Sequence, residues 1–258
     1  MRKYLWIAVL FAACNNESSN SPATKDSGMV TEKKSSSVSS GPCNKLVFFE
    51  EGAEIESKTY KAVGVPVSTQ LTKILSVKRE GGMTVASVES TDTQGDGKVT
   101  KMNYDYKCDG NNIYFDMASL FRANAEKSGT SFKASVIEYP INVSAGQTLP
   151  DATGTMTSER NGKTMEMKYH YKDRKVEAKE DVTTTAGTFS CYKISNSVEI
   201  DMEIPGMDER AKKIMESMKD KMKTTSTTWF APDFGIVKME MYQGGKLISK
   251  TEVTAVKK

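Results

Sequence analysis

Lys98-Val99-Thr100-Lys101-Met102-Asn103-Tyr104-Asp105-Tyr106 decides the fold class, because from Lys101 onward its polar and apolar side chains alternate with a period of two. Successive side chains of a strand point to opposite faces, so such a run reads as a half-buried strand with one face on a core. Thr164-Met165-Glu166-Met167-Lys168-Tyr169-His170-Tyr171 repeats the pattern. Between such runs lie Glu80-Gly81-Gly82, Asp96-Gly97, Asp109-Gly110, Asn161-Gly162 and Gly244-Gly245. These residues accept the positive φ of tight hairpin turns. The expected fold is mainly β, about ten strands in an antiparallel meander that forms a curved sheet, an open half-barrel or a sandwich.

Two segments depart from the strand rhythm, and the expectation is one or two covering α-helices. Phe115 to Lys127 has Met117, Leu120, Phe121 and Ala125 at helical spacing, which predicts a helix near 116–127 with Asp116 or Ser119 at its start. A second helix is expected over 207–223, with Asp208 and Glu209 at its start and lysines toward its end. Met207, Ala211, Ile214, Met215, Met218 and Met222 fall on one face of it. A flexible, polarizable Met stripe suits either a cover over the sheet or a lid over a ligand. Met207, Ile214, Met215, Met218 and Met222 are the candidate lid residues.

The first fourteen residues read as a lipoprotein signal. Arg2 and Lys3 precede an apolar run from Tyr4 to Phe11, and Ala12-Ala13 lead into Cys14. The run is too short to span a bilayer, so cleavage before Cys14 is expected. Cys14 then carries a diacylglyceryl group and an amide-linked acyl chain such as palmitate, and two or three chains anchor stably. Asn15-Asn16-Glu17 has no Asp beside the cysteine, which favours the bacterial outer membrane, facing periplasm or cell surface. Residues 15–42 are rich in Ser, Asn, Lys and Glu and nearly free of large apolar side chains. They read as a disordered tether with a root-mean-square reach of about 30 Å. Residues 43–258 are expected to form a single antiparallel β domain, long enough for one sizeable core.

The chain carries 36 basic and 33 acidic residues for a net charge of +3, a mixed surface and not a nucleic-acid footprint. Three cysteines remain beside Cys14, and an exported protein can pair two of them. All three pairings are open on sequence. Cys43 with Cys108 is preferred because it would pin the start of the domain to the sheet, with Cys191 as a buried thiol.

Catalytic and metal-binding signals are sparse. His170 is the single histidine and sits between tyrosines on an alternating run; no HExxH or Cys/His ligand spacing occurs. Asp92, Gln94, Asp96 and Gly97 imitate the opening of a calcium loop, but Asn103 stands where the bidentate Glu belongs, so a hairpin turn is the better reading. Glu50 and Glu51 would act as paired carboxylates only in a cleft. No enzyme, cofactor or metal is expected.

Motifs along the domain resemble the TapB-like proteins, a family related to a domain of unknown function and frequent among envelope lipoproteins. They are Cys108-Asp109-Gly110 before Ile113-Tyr114-Phe115-Asp116-Met117, then Gly146-Gln147-Thr148-Leu149-Pro150-Asp151, then Ala186-Gly187-Thr188-Phe189-Ser190-Cys191-Tyr192-Lys193-Ile194, and Trp229-Phe230-Ala231-Pro232 with Gly235-Ile236-Val237-Lys238. Thr185 departs from the pattern, where a Pro often stands. In the third motif Phe189 and Cys191 are expected on one face, Tyr192 and Ile194 on the other. The resemblance implies a mainly antiparallel β fold and no defined activity. The expected role is a non-catalytic docking platform on the membrane for another envelope protein; the alternative is a binding module with a lipid or other apolar ligand under the Met-rich lid.

Overall fold

The structure, a computed structural model, describes residues 42–258 apart from 63, 117–129, 134–135, 161–162, 204–205, 207, 211–212, 215 and 218–222. The chain divides into two units, Met1–Ser37 and Val38–Lys258, and every described residue lies in the second.

Two short 3-10 turns, Pro42–Lys45 and Val47–Phe49, open the domain. Thirteen strands follow: β1 (Glu54–Lys61), β2 (Pro66–Glu80), β3 (Met83–Gln94), β4 (Val99–Cys108), β5 (Asn112–Asp116), β6 (Thr130–Lys133), β7 (Val136–Pro140), β8 (Ala152–Arg160), β9 (Lys163–Thr184), β10 (Gly187–Glu203), β11 (Thr224–Ala231), β12 (Gly235–Gln243) and β13 (Lys246–Lys257). They form a single antiparallel sheet in the order β6-β8-β9-β10-β11-β12-β13-β1-β2-β3-β4-β5-β7. Neighbours in sequence are mostly neighbours in space, as hairpin signals imply. The first and last segments meet when β1 pairs with β13, Lys58 opposite Glu252. One continuous sheet rules out the sandwich.

The sheet curls until its far edge returns. Beyond β7 the chain reaches β9: Leu149 N donates to Arg174 O at 2.8 Å, and Val176 N to Gln147 O at 2.9 Å. Arg174 also donates from β9 to Glu138 O on β7 at 2.6 Å. The result is a nearly closed barrel with an apolar interior. Ile55, Ile74, Val88, Tyr106, Ile113, Val176, Ile194, Phe230, Val237 and Val253 are all buried there.

One end of the barrel is plugged. Leu46, Val47, Phe48 and Phe49 from the opening turns are buried, and Cys43 is bonded to Cys108 with Cα atoms 6.0 Å apart. Gly235 lets the plug fit. Its φ is +120°, and a Cβ there would lie 2.3 Å from two ring carbons of Phe48. Only glycine permits both that backbone and that approach.

Several expectations need correction. Phe115 and Asp116 belong to β5, opposite Ile137 and Val136, because the Ile113 and Phe115 alternation continues the sheet. The remainder of the helix expected near 116–127 lies outside the described residues. Of 207–223, the described residues 209–210, 213–214 and 216–217 are helical, and all are exposed, so no cover over the sheet is seen among them. Ile194 does not oppose Cys191 in facing. A register shift between Lys193 and Ile194 turns it inward, and both are buried.

Candidate functional site

The plugged barrel leaves a cavity of about 270 Å³ on its concave side. Ile55 and Ser57 from β1, Gln70 and Thr72 from β2 and Tyr104 and Tyr106 from β4 contribute by period-two alternation; Phe115 comes from β5, and β12 and β13 contribute consecutive residues, Ile236 to Met239 and Thr251 to Val253, so that Lys238 and Glu252 also line the cavity. Register explains the meeting. Ile55 lies opposite Thr72, and Tyr104 opposite Val88 across β3. Phe48 of the plug forms the floor, edge-on to Tyr106 with centroids 5.1 Å apart.

Chemistry changes with depth. Phe48, Ile55, Tyr104, Tyr106, Val237 and Val253 are buried near the plug, whereas Ser57, Gln70, Met239 and Thr251 are half-buried nearer the opposite end. The cavity therefore runs from an apolar, aromatic floor to a mouth bearing hydroxyl and amide groups, with Lys238 and Glu252 also on its wall. Tyr104 and Tyr106 share a hydrogen bond of 3.1 Å between their hydroxyls. Burial pushes the Tyr104 phenol up and the Tyr106 phenol well above its ordinary value. Both remain neutral hydrogen-bonding groups and supply no charge to the cavity.

Aromatic contacts continue from the cavity to the seam. Tyr106 meets Phe115 at 5.1 Å, Phe115 meets Tyr139 at 5.3 Å, and Tyr139 stacks on Phe230 at 5.9 Å. Arg174 closes this series, its guanidinium 5.2 Å from the Tyr139 centroid and 2.7 Å from Pro150 O. A bulge brings it inward: Ser195 faces Lys175 and Ser197 faces Lys172, so Asp173 and Arg174 together oppose Asn196. Asp173 takes the left-handed conformation at φ 56° and accepts from Ser197 Oγ at 2.8 Å.

The sequence-predicted residues are dispersed. Cys14, Met207, Met215, Met218 and Met222 lie outside the described residues, and Ile214 is 51% exposed. Cys43 and Cys108 form the disulfide at the plug, and Cys191 is a buried free thiol. Burial, then Asp181 and Glu180, push the Cys191 thiol up to about 12. His170 faces Asp201 at 3.2 Å. Asp96 Oδ1 accepts from Lys98 N at 3.0 Å within the β3–β4 turn. Glu50 pairs with Lys258, and Glu51 accepts from Val77 N, so these carboxylates serve different contacts. Among the described residues, no group of three or more His, Cys, Asp or Glu side chains is placed to hold a metal ion.

Sequence reasoning missed the cavity residues and Arg174. The Met102, Tyr104, Tyr106 stripe carried a usable signal, since two tyrosines on a core-facing stripe bring hydroxyls into the interior.

The DUF3108-like family matches residues 50–253. That span covers β1 to β12, most of β13 and every wall of the cavity. The chain belongs to the DUF3108-like family. Two solved structures share the fold. One, from Bacteroides fragilis, is a protein assigned as exported with a YmcC-like fold; it is 20% identical, with a TM-score of 0.60 over 81% of this chain and 97% of its own. The other, from Parabacteroides distasonis, is a protein assigned as a lipoprotein; it is 21% identical, with a TM-score of 0.61 over 81% of this chain and 98% of its own. The search of curated proteins yields no match.

Proposed function

We propose that this member of the DUF3108-like family is an envelope lipoprotein of the TapB-like kind, anchored in the bacterial outer membrane through lipidated Cys14, that holds an apolar ligand inside its barrel. The cavity carries this reading. Its floor of Phe48, Ile55, Tyr106 and Val253 offers apolar contact, while Ser57, Gln70 and Thr251 offer neutral hydrogen bonds at the mouth. About 270 Å³ lies just under the range of roughly 300–1,000 Å³ for drug-sized ligands, which suits one short acyl chain or a small ring system. Export is supported by the signal-like start and by the two structural neighbours, one assigned as exported and the other as a lipoprotein. A docking platform needs the same tether and sheet, but the cavity gives a specific reason to prefer ligand holding.

Native mass spectrometry of the full chain purified from a bacterial envelope tests the reading. A discrete added mass that fragments as a lipid is expected. Ser57→Phe with Thr251→Phe fills the mouth and should remove that mass while thermal unfolding stays cooperative. A bare wild-type mass, or an adduct unaffected by mouth filling, would overturn it.

A further inference from the structure

At the end of the barrel away from the plug, three hairpin tips stand side by side. β12 and β13 turn at Gly244 and Gly245, β1 and β2 between Lys61 and Pro66, where Ala62, Gly64 and Val65 are described, and β3 and β4 at Gly95 to Lys98. In the sheet these strands are consecutive, β12-β13-β1-β2-β3-β4, so neighbouring tips lie about 10 Å apart and the three span about 20 Å. Each tip presents an exposed aliphatic side chain beside a lysine: Ile248 with Lys246, Val65 with Lys61, Val99 with Lys98. Val65 and Val99 are 53% and 55% exposed, which no core role explains.

Most exposed large hydrophobics among the described residues lie toward the tips. Among the described residues the other exposed large hydrophobics are Leu75, Val136 and Ile214. Ile214, beside Lys213, belongs to the connection from β10 to β11 at the tip end. Val136, opposite Asp116 and one residue beyond the Phe115–Tyr106 pair, and Leu75 lie nearer the plug.

The tips also carry unmatched positive charge. On the sheet, lysines are matched by glutamates, as in Lys73 with Glu54, Lys78 with Glu80, Lys238 with Glu240 and Lys250 with Glu252. Lys61, Lys98 and Lys246 have no ion pair among the described residues. Among the described residues of the three turns the carboxylate is Asp96, which accepts from Lys98 N. The plug end is mixed, with Glu50, Glu51, Glu80, Asp109 and Asp233 beside Lys45, Lys78, Arg79, Lys107, Lys257 and Lys258.

We propose that the three tips form a bilayer-contact edge that docks onto an anionic lipid surface. Separated aliphatic points, each beside a cation, fit a headgroup layer in which lysine meets phosphate and Val or Ile enters the acyl boundary. A folded protein partner would call for a continuous apolar patch. The vesicle-clustering arm of the test below uses attachment through Cys14, and in this respect alone the inference rests on the anchoring reading.

The test uses the acylated full-length product reconstituted in phosphatidylcholine vesicles and mixed with phosphatidylglycerol-rich acceptor vesicles. Clustering followed by light scattering should appear with these acceptors, fade with added salt, and be absent with phosphatidylcholine acceptors. Lys61→Glu, Lys98→Glu and Lys246→Glu together should weaken it at least ~tenfold, as should Val65→Ser with Val99→Ser, with unchanged thermal unfolding. Anchored protein that fails to cluster anionic vesicles, or that clusters them equally well in both variants, would overturn the proposal. Should the chain not float with its donor vesicles, the anchoring reading falls separately. The unanchored chain is then sedimented with anionic vesicles: binding that the variants lose supports the edge, and absence of binding overturns it.

Discussion

Arg174 on β9 lies over the ring of Tyr139 on β7, its guanidinium 5.2 Å from the centroid, and joins the last strand of the sheet order to the third. It is 2% exposed and donates to Glu138 O and Pro150 O. A buried cation held by carbonyl dipoles and an aromatic face acts as a clasp on the barrel seam. Arg174→Ala leaves both carbonyls without that donor and should lower the unfolding free energy by about 3 kcal/mol in urea titration. Arg174→Lys should recover only part of this, because one ammonium cannot reproduce the planar fork.

Gly235 and Phe48 form a second fixed relationship. Gly235→Ala adds a methyl 2.3 Å from the Phe48 ring and strains a φ of +120°. The expected cost is about 3 kcal/mol, from overpacking and backbone strain together. In a Phe48→Ala background the clash disappears while the strain persists. A double-mutant cycle by chemical denaturation should therefore show coupling of about 1–2 kcal/mol, and additive costs would mean that the ring is not the obstacle.

The Cys43–Cys108 disulfide closes a loop with a sequence separation of 65 residues. Chain-entropy arguments put the stabilisation from a loop of that length at about 4 kcal/mol. Cys43→Ser with Cys108→Ser should lower the denaturation midpoint accordingly, and reductant should shift the wild type to the same value without affecting the variant. Since Leu46 to Phe49 follow directly, partial release of the plug should also appear as faster amide exchange at Phe48 and Phe49.

The antiparallel sheet was legible because its hairpin turns and period-two runs are local. Bulges were not: the shift at Lys193 and Ile194 reverses the facing that strict alternation assigns, and the one at Asp173 and Arg174 buries a residue that reads as solvated charge. Phe115 was assigned to a helix because apolar spacing over a short window serves either period, and the partner that settles it, Ile137, comes from a distant strand. The cavity was illegible for the same reason. Tyr104 and Tyr106 lay on a visible stripe, but their neighbours Phe48, Val237 and Val253 are set by closure of the sheet.

Cys191 gives a prediction about reactivity. Its Sγ donates to Phe189 O at 3.5 Å, and burial and then the nearby carboxylates hold the thiol at about 12. At pH 8 its thiolate should be scarcer than that of an ordinary cysteine by on the order of a thousandfold, and iodoacetamide labelling of the folded chain correspondingly slow. Denaturant should restore ordinary labelling. Because the unfolded thiol ionises more readily, stability is also expected to fall as pH rises above about 9, a decline that Cys191→Ala should reduce.

Glu199 titrates in the opposite sense. Lys172 at 2.7 Å, then Lys223 at 3.1 Å, draw its carboxyl down to about 2. A lowered folded value means that the two ion pairs contribute their stability above the ordinary carboxylate value of 4.5 and lose it as pH falls through about 2. Carboxyl-carbon NMR should place the Glu199 midpoint near 2. Glu199→Gln should be less stable than wild type at neutral pH and indistinguishable from it once the wild-type carboxyl is protonated. Lys223 immediately precedes β11, so the same substitution should increase amide exchange at Thr224 and Thr225, where the β10–β11 connection rejoins the sheet. An ordinary midpoint near 4.5 with unchanged exchange would show that solvent screening leaves the two pairs without effect.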